Sequence, residues 1–179
     1  VLEEIGPWRD MHMRIEGPAV NDLHKIFCEM WAKATGEILV SAMYFPMHNP
    51  QGNSTLGVID RHPKTANKSI RQLYCSMLDN AKHKVLLINP YFVPTHQVRS
   101  ALKRCIKRGV DVQIMISEKS DIPLTPDASH YVGRQMQKLG AKVHIDRGGF
   151  HHTKIMMVDD LFCTVGSSNL DSRSLRCDY

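Results

Sequence analysis

Residues 150–175 read FHHTKIMMVDDLFCTVGSSNLDSRSL, and within them stands His152-x-Lys154-x4-Asp159, followed by Gly166-Ser167-x-Asn169. Residues 152–158 read as a strand, Asp159-Asp160 as a turn and residues 161–165 as a returning strand, which together predict a hairpin. Alternate residues of a strand share a face, so His152 and Lys154 leave the same side. A turn centred near Asp160 brings Ser168 roughly opposite His152 and Gly166 opposite Lys154. Asn169 and Ser167 then arrive beside the His/Lys pair, and Gly166 has no side chain to block what Lys154 holds.

An imidazole, an ammonium, an amide and a hydroxyl converging on one spot suit a phosphodiester. Lys154 and Asn169 hold the nonbridging oxygens, while His152 attacks or shuttles a proton near neutral pH. Asp159 lies an odd number of residues from His152, at the hairpin tip, so a structural role at the turn stands beside a catalytic one. Singly, these residues have ordinary readings: a structural histidine, a surface lysine, and turn chemistry in Gly-Ser-x-Asn. Their order and spacing together carry the signal.

Upstream of the hairpin, strands alternate with helices. The apolar spacing predicts a helix over residues 70–81, a strand over 85–89, a helix over 98–107 closed by Gly109, and a strand over 110–117. A helix over 127–139 closed by Gly140 and a strand over 142–145 follow. That alternation argues for a layered α/β domain with a mostly parallel central sheet flanked by helices. Nearer the start, residues 11–16 alternate like a half-buried strand, and Val20, Leu23, Ile26, Phe27, Met30 and Trp31 mark a helix ended by Gly36. Residues 38–44 read as another strand. Residues 45–64, with Pro46, Pro50, Gly52, Gly57 and Pro63, read as a linker or loop.

A net charge of +5 and a pI near 9.0 favour an anionic partner, such as a nucleic acid, an acidic lipid surface or a phosphate ester. Apolar runs such as Val85-Leu86-Leu87-Ile88 fall far short of a membrane span, and Val1-Leu2-Glu3-Glu4 does not open like a signal peptide. The five cysteines are widely spaced and never form a C-x2-C pair, so neither a metal site nor a disulfide framework is expected. Activity is therefore expected to need no metal or other cofactor.

The segments FHHTKIMMVDD at 150–160 and VGSSNLDSRSL at 165–175 match the signature of the phospholipase D superfamily. Within it, Asn89-Pro90-Tyr91-Phe92-Val93-Pro94, residues 107–112 (KRGVDV) and residues 8–20 (WRDMHMRIEGPAV) resemble the bacterial cardiolipin synthase branch. The resemblance covers nearly the whole chain, residues 45–64 least well. It implies a phospholipase D-like fold whose C-terminal hairpin carries the motif. It also implies an active site built from two such motifs, one histidine forming a phosphohistidine and the other protonating the leaving alcohol. The implied catalytic residues are His152, Lys154 and Asp159, with Asn169, Ser167 and Gly166 binding substrate.

By the same resemblance, residues 1–45 are the tail of a first repeat, 46–65 a linker, and 66–179 a second repeat truncated at its end. The acidic residue that orients the motif histidine is expected just beyond Tyr179. The leading function is phosphatidyl transfer between phospholipids. Its partners would be an anionic phospholipid such as phosphatidylglycerol, a membrane surface (in bacteria, the inner membrane), and a missing first catalytic half or a second copy of this chain. Nucleic acid is not among them in that reading. The rivals are a nuclease or other phosphodiesterase of the superfamily, and an inactive binding fragment. His151 is expected to pack or to support the site. Lys103, Arg104, Lys107 and Arg108 are expected on a solvated helix end, with contact to lipid headgroups as the functional alternative. Asp10, His12 and Arg14 match branch positions without a role that the sequence supplies.

Overall fold

The computed structural model describes residues 6–60 and 68–175. The end of the expected loop, the last residues of the expected second repeat and Cys177 lie outside them. The chain divides into two units, one holding residues 1–12 and 61–179 and the other Met13–Asp60.

In the larger unit, five strands form a sheet in the order β4-β3-β2-β6-β7. They are β2 (Lys84–Ile88), β3 (Asp111–Ser117), β4 (Lys142–Asp146), β6 (Ile155–Val158) and β7 (Phe162–Val165). The pairs β2–β3 and β3–β4 are parallel, whereas β6 runs antiparallel to both β2 and β7. Four strands therefore share one direction, as the α/β alternation predicts. The parallel strands are joined by α3 (His96–Lys107) and α4 (Thr125–Lys138), while α2 (Ser69–Asn80) precedes β2.

One apolar face of the sheet makes the core. Val85 and Leu87 pair in register with Val112 and Ile114, and with Val158 and Met156, and all six are buried. Val98, Ala101, Leu102, Cys105 and Ile106 recur at helical spacing on α3 and pack into the same cluster as Tyr74 and Leu78 of α2. On α4, Gly133 lets the helix close onto the sheet, because a Cβ there would lie 3.3 Å from both Ile116 and Val143. Truncating fully buried Leu102 to Ala would cost about 2–5 kcal/mol. Two of the four basic residues at the end of α3 are committed within the fold. Arg104 clasps Asp79 through two bonds of 3.0 and 2.8 Å, and Arg108 donates to the carbonyls of Leu78 and Ala81.

A second, two-stranded sheet pairs β1 (Trp8–Arg9) in parallel with β5 (Phe150–His151). The expected strand over residues 11–16 is thus replaced by a shorter one just upstream. Alternation alone does not make a strand, and Met11 and Met13 are exposed, facing no sheet.

In the smaller unit, α1 (Ala19–Thr35) ends where Gly36 turns left-handed at φ +79°, its N–H reaching the carbonyl of Ala32. The expected strand over 38–44 is instead extended chain leading into a 3-10 turn at Ala42–Tyr44. The Ser41 hydroxyl accepts from the Met43 N–H there, a local bond that competes with strand pairing. The His24 ring stacks against Phe27 and Tyr44 and meets Phe45 edge-on.

Candidate active site

The site forms at the carboxyl ends of β2, β3 and β4, the place where open α/β sheets bind ligands. The hairpin register is close to the expected one. Ile155 pairs with Val165 and Val158 with Phe162, so carrying the count one step further sets Gly166 across from Lys154. The expected continuous strand from 152 is broken, however. Residues 152–154 leave β6 unpaired, because the chain there passes from the main sheet to the β1–β5 pair, and the His152 N–H donates to the Arg9 carbonyl at 2.7 Å.

That handover needs glycine. Gly149 sits at φ +130°, and a Cβ on it would lie 2.4 Å from the Pro7 carbonyl oxygen. The close approach carries Trp8 onto Phe150, edge to face at 4.9 Å, with the His152 ring 4.9 Å from Trp8. It also brings Asp10 to His152.

The Asp10 Oδ2 lies 2.9 Å from His152 Nδ1, while its Oδ1 accepts from the Met11 N–H at 2.8 Å. Burial pushes the Asp10 carboxyl up, but the bonds from His152 and Met11 and the charge of Lys154 outweigh it, so it titrates below the ordinary value. An ionised carboxylate only accepts, so Nδ1 carries the proton of this bond, and in the neutral imidazole the lone pair falls on Nε2. The carboxylate that meets Nδ1 lies 142 residues upstream of the histidine, while the acid expected just beyond Tyr179 falls outside the sequence. The sequence signal was Asp10 itself, conspicuous in WRDMHMR but without a partner until the chain folds.

Lys154 is 5% exposed, and its ammonium donates to the His152 carbonyl. Burial lowers its pKa, partly offset by the negative charges of Asp10 and Asp121. His152 and Lys154 are therefore brought together. Asn169 lines a cavity with Tyr91, Val93, Asp171 and Arg173, its Oδ1 buried and without a hydrogen-bond partner, while Gly166 and Ser167 lie exposed on the loop after β7.

Asp159 is placed elsewhere. At φ 53° in the hairpin turn, its carboxylate accepts from the N–H groups of Lys82, His83 and Lys84, each at 2.8 Å. Those bonds to Lys84 and Lys82, with a smaller opposing effect of burial, hold its carboxyl below the ordinary range. It clamps the entry of β2, where all three bonds of its carboxylate are made. His151 points to Asp146, Nε2 to Oδ2 at 2.6 Å, and its Nδ1 is buried without a partner. Tyr91, half-buried after β2, donates from its hydroxyl to Asp121 Oδ1 at 2.7 Å, a pair that sequence reading missed. Among the described residues no cluster of His, Cys, Asp and Glu is arranged to hold a metal ion.

Residues 74–179 match the family model described as cardiolipin synthase, PLD-like domain. The chain belongs to this phospholipase D-like family. Over 98% of its length it is 34% identical to the "Probable cardiolipin synthase YwiE" and, equally, to the "Major cardiolipin synthase ClsA", both of Bacillus subtilis. It spans only 35% and 37% of those proteins. Among solved structures, it resembles the phospholipase D family member Nuc from Salmonella typhimurium at TM-score 0.56 and 27% identity, covering 62% of this chain and 71% of that one. The phosphatidylserine synthase of Haemophilus influenzae shares the fold at TM-score 0.50 and 14% identity, over 62% of this chain and 30% of that one. These family matches span the hairpin, and the two B. subtilis relatives also span the Asp10 segment.

Proposed function

We propose that this phospholipase D-like chain supplies the second catalytic half of a phosphatidyltransferase of the cardiolipin synthase type. The observation that carries the reading is the Asp10–His152 pair, its Nδ1 held by the carboxylate, with the buried Lys154 ammonium bonded to the His152 carbonyl. In the first step a histidine Nε2 bonds to the phosphorus of phosphatidylglycerol, the bond to the glycerol oxygen breaks, and a second histidine protonates that oxygen. In the second, a hydroxyl of another lipid forms its bond to phosphorus as the N–P bond breaks, and its proton returns to the second histidine. Lys154 and the Asn169 amide neutralise charge on the nonbridging oxygens, while Gly166 and Ser167 leave the approach open. Asp159 serves this indirectly, by fixing the hairpin.

Residues 1–45 then belong to a first repeat, 46–65 to a linker and 66–179 to the second repeat. The other histidine comes from that first repeat or from a second copy of the chain. The substrates place the enzyme at a membrane surface, in bacteria the inner membrane with the site facing the cytosol. No helix of the described residues is long and apolar enough to cross a membrane.

A nuclease is the second reading, favoured by the net charge of +5 and by the likeness to Nuc. The lipid reading rests on higher identity over more of the chain. The deciding experiment supplies an enzyme holding both catalytic halves with phosphatidylglycerol vesicles and, separately, with DNA. Cardiolipin and glycerol are the expected products. DNA cleavage without cardiolipin would overturn the proposal.

A further inference from the structure

Two side-chain pairs lie one residue apart where β1 meets β5. Arg9 pairs in register with His151 at the end of the two-residue ladder, and both side chains reach Asp146. Asp10 and His152 follow immediately and reach one another. The ladder is slight. Its backbone bonds run from the Phe150 N–H to the Pro7 carbonyl at 3.2 Å and from the His152 N–H to the Arg9 carbonyl at 2.7 Å. So short a pair of strands does not hold itself together in water. Asp10 stands in neither strand nor helix, one residue past β1, so whatever fixes β1 also fixes its carboxylate.

Asp146, the last residue of β4, gathers the side chains. Its Oδ1 accepts from the Gly148 N–H at 3.0 Å, and its Oδ2 lies 2.6 Å from His151 Nε2 and 3.7 Å from an Arg9 guanidinium nitrogen. Neither contact to Oδ2 is aligned as a hydrogen bond, so this buried oxygen acts as a negative charge facing two nitrogens. The His151 and Asp146 side chains are 15% and 17% exposed, whereas Arg9 is 44% exposed. Water screens the longer Arg9 contact more, and the His151 contact dominates. An apolar side chain at 151 would leave Asp146 Oδ2 buried with a half-exposed arginine alone. Arg9 is held a second time, by donating to the Gly148 carbonyl, and a Cβ on Gly148 would overlap its guanidinium. The His151 N–H donates to the buried Ser117 hydroxyl at 3.0 Å, which fixes β5 on the end of β3.

We infer that Asp146 and His151 are positioning residues for the proposed reaction, their contact clamping β1 on β5 and so setting Asp10 against Nδ1 of His152. The kinetic consequence rests on the transferase reading above. The contact acted upon belongs to the chain itself.

The test reads the His152 tautomer by NMR in the purified chain, isotope-labelled in its histidine nitrogens, at alkaline pH where the ring is neutral. The His152 signal is the one lost in His152→Ala. The unmodified chain should show one form, with the proton on Nδ1. His151→Leu should let the ring exchange between its two tautomers. Asp146→Asn, which keeps an acceptor for Gly148 but removes the charge, should do the same. His151→Gln, whose amide brings an N–H to the place of Nε2, should restore the single form. In an enzyme holding both catalytic halves, His151→Leu should lower kcat about 10- to 100-fold with KM within about threefold. Added to Asp10→Asn it should cost little more, because both act on one contact. If His151→Leu fails to fold, Gly148→Ala displaces the flexible Arg9 guanidinium instead and should loosen the tautomer in part. A role confined to stability would lower the melting temperature while the folded molecules kept the single form, and that result overturns the inference. Exchange already present in the unmodified chain overturns it, as does a His151→Gln variant no better than His151→Leu. If the tautomer responds as expected but the unmodified enzyme makes no cardiolipin, the function reading falls and the positioning role stands.

Discussion

The Asp10 carboxylate lies 2.9 Å from Nδ1 of His152, a bond joining the residue just after the first described strand to the segment that leads into the hairpin. It sets the tautomer, so its loss should be felt in turnover more than in binding. Asp10→Asn is expected to reduce kcat about 10- to 100-fold, the usual cost of removing a partner that orients a functional histidine. The KM for phosphatidylglycerol should stay within about threefold, since the Asp10 carboxylate is taken up by His152 and the Met11 N–H. Steady-state kinetics across a range of donor concentrations separates the two. A change confined to KM would show that Asp10 acts on binding.

His152→Ala should remove several orders of magnitude of phosphatidyl transfer, whichever of the two histidine roles it plays. The fold should persist, because the ring is about a third exposed and rests against Trp8 without entering the main core. Activity measured beside a circular dichroism melt tests both halves of the statement. Transfer retained above a tenth of the unmodified rate contradicts the assignment.

The helices and strands of residues 69–165 were legible because their apolar spacing is that of a sheet with one face under helices. The buried runs of β2, β3 and α3 are the examples. The hairpin register was legible for a similar reason, since Asp159-Asp160 admits few other turns. What stayed hidden depended on contacts far apart in sequence. Asp10 gained a role only when β1 paired with β5, and Tyr91 met its partner Asp121, 30 residues on, only in the fold. The misread strand at 11–16 failed for the converse reason. Its alternation was genuine, but no neighbouring strand lies there to pair with it.

Asp159→Asn should injure stability before chemistry. Its carboxyl titrates below the ordinary value, so its contribution is present above that value and is lost as pH falls through its own lower one. The unmodified protein should therefore lose stability in acid, from about pH 4 downward, where this clamp is protonated. The asparagine variant should begin less stable at neutral pH and show a shallower acid dependence. Thermal melts from pH 3 to pH 7 provide the comparison. An unchanged melting temperature with activity lost as fully as in the His152 variant would instead make Asp159 catalytic.

Gly149→Ala should uncouple β1 from β5. The added methyl would fall 2.4 Å from the Pro7 oxygen, at a backbone angle that alanine seldom adopts. Trp8 and Asp10 should then withdraw from His152, and the loss of turnover should be at least that of Asp10→Asn. Asp10→Asn added to Gly149→Ala should cost little more, because both act on one contact. A double-mutant cycle on kcat measures this, and full additivity would show that Gly149 acts elsewhere.

The 179-residue chain by itself is expected not to catalyse phosphatidyl transfer. The chemistry needs one histidine to attack and another to protonate the leaving oxygen. The sequence contains a single H-x-K-x4-D. His151 is no substitute, because its Nε2 is engaged with Asp146 at 2.6 Å and its Nδ1 is buried. A homodimer would bring a second His152, but only if two copies met with their hairpins facing. The check is to incubate the purified chain with phosphatidylglycerol vesicles, alone and with a separately expressed upstream half, and to quantify cardiolipin and glycerol. Activity should appear in the mixture and be absent from the chain alone. Equal rates in the two would make the homodimer the working enzyme, and would raise the nuclease reading, since a symmetric pair of single motifs would then suffice.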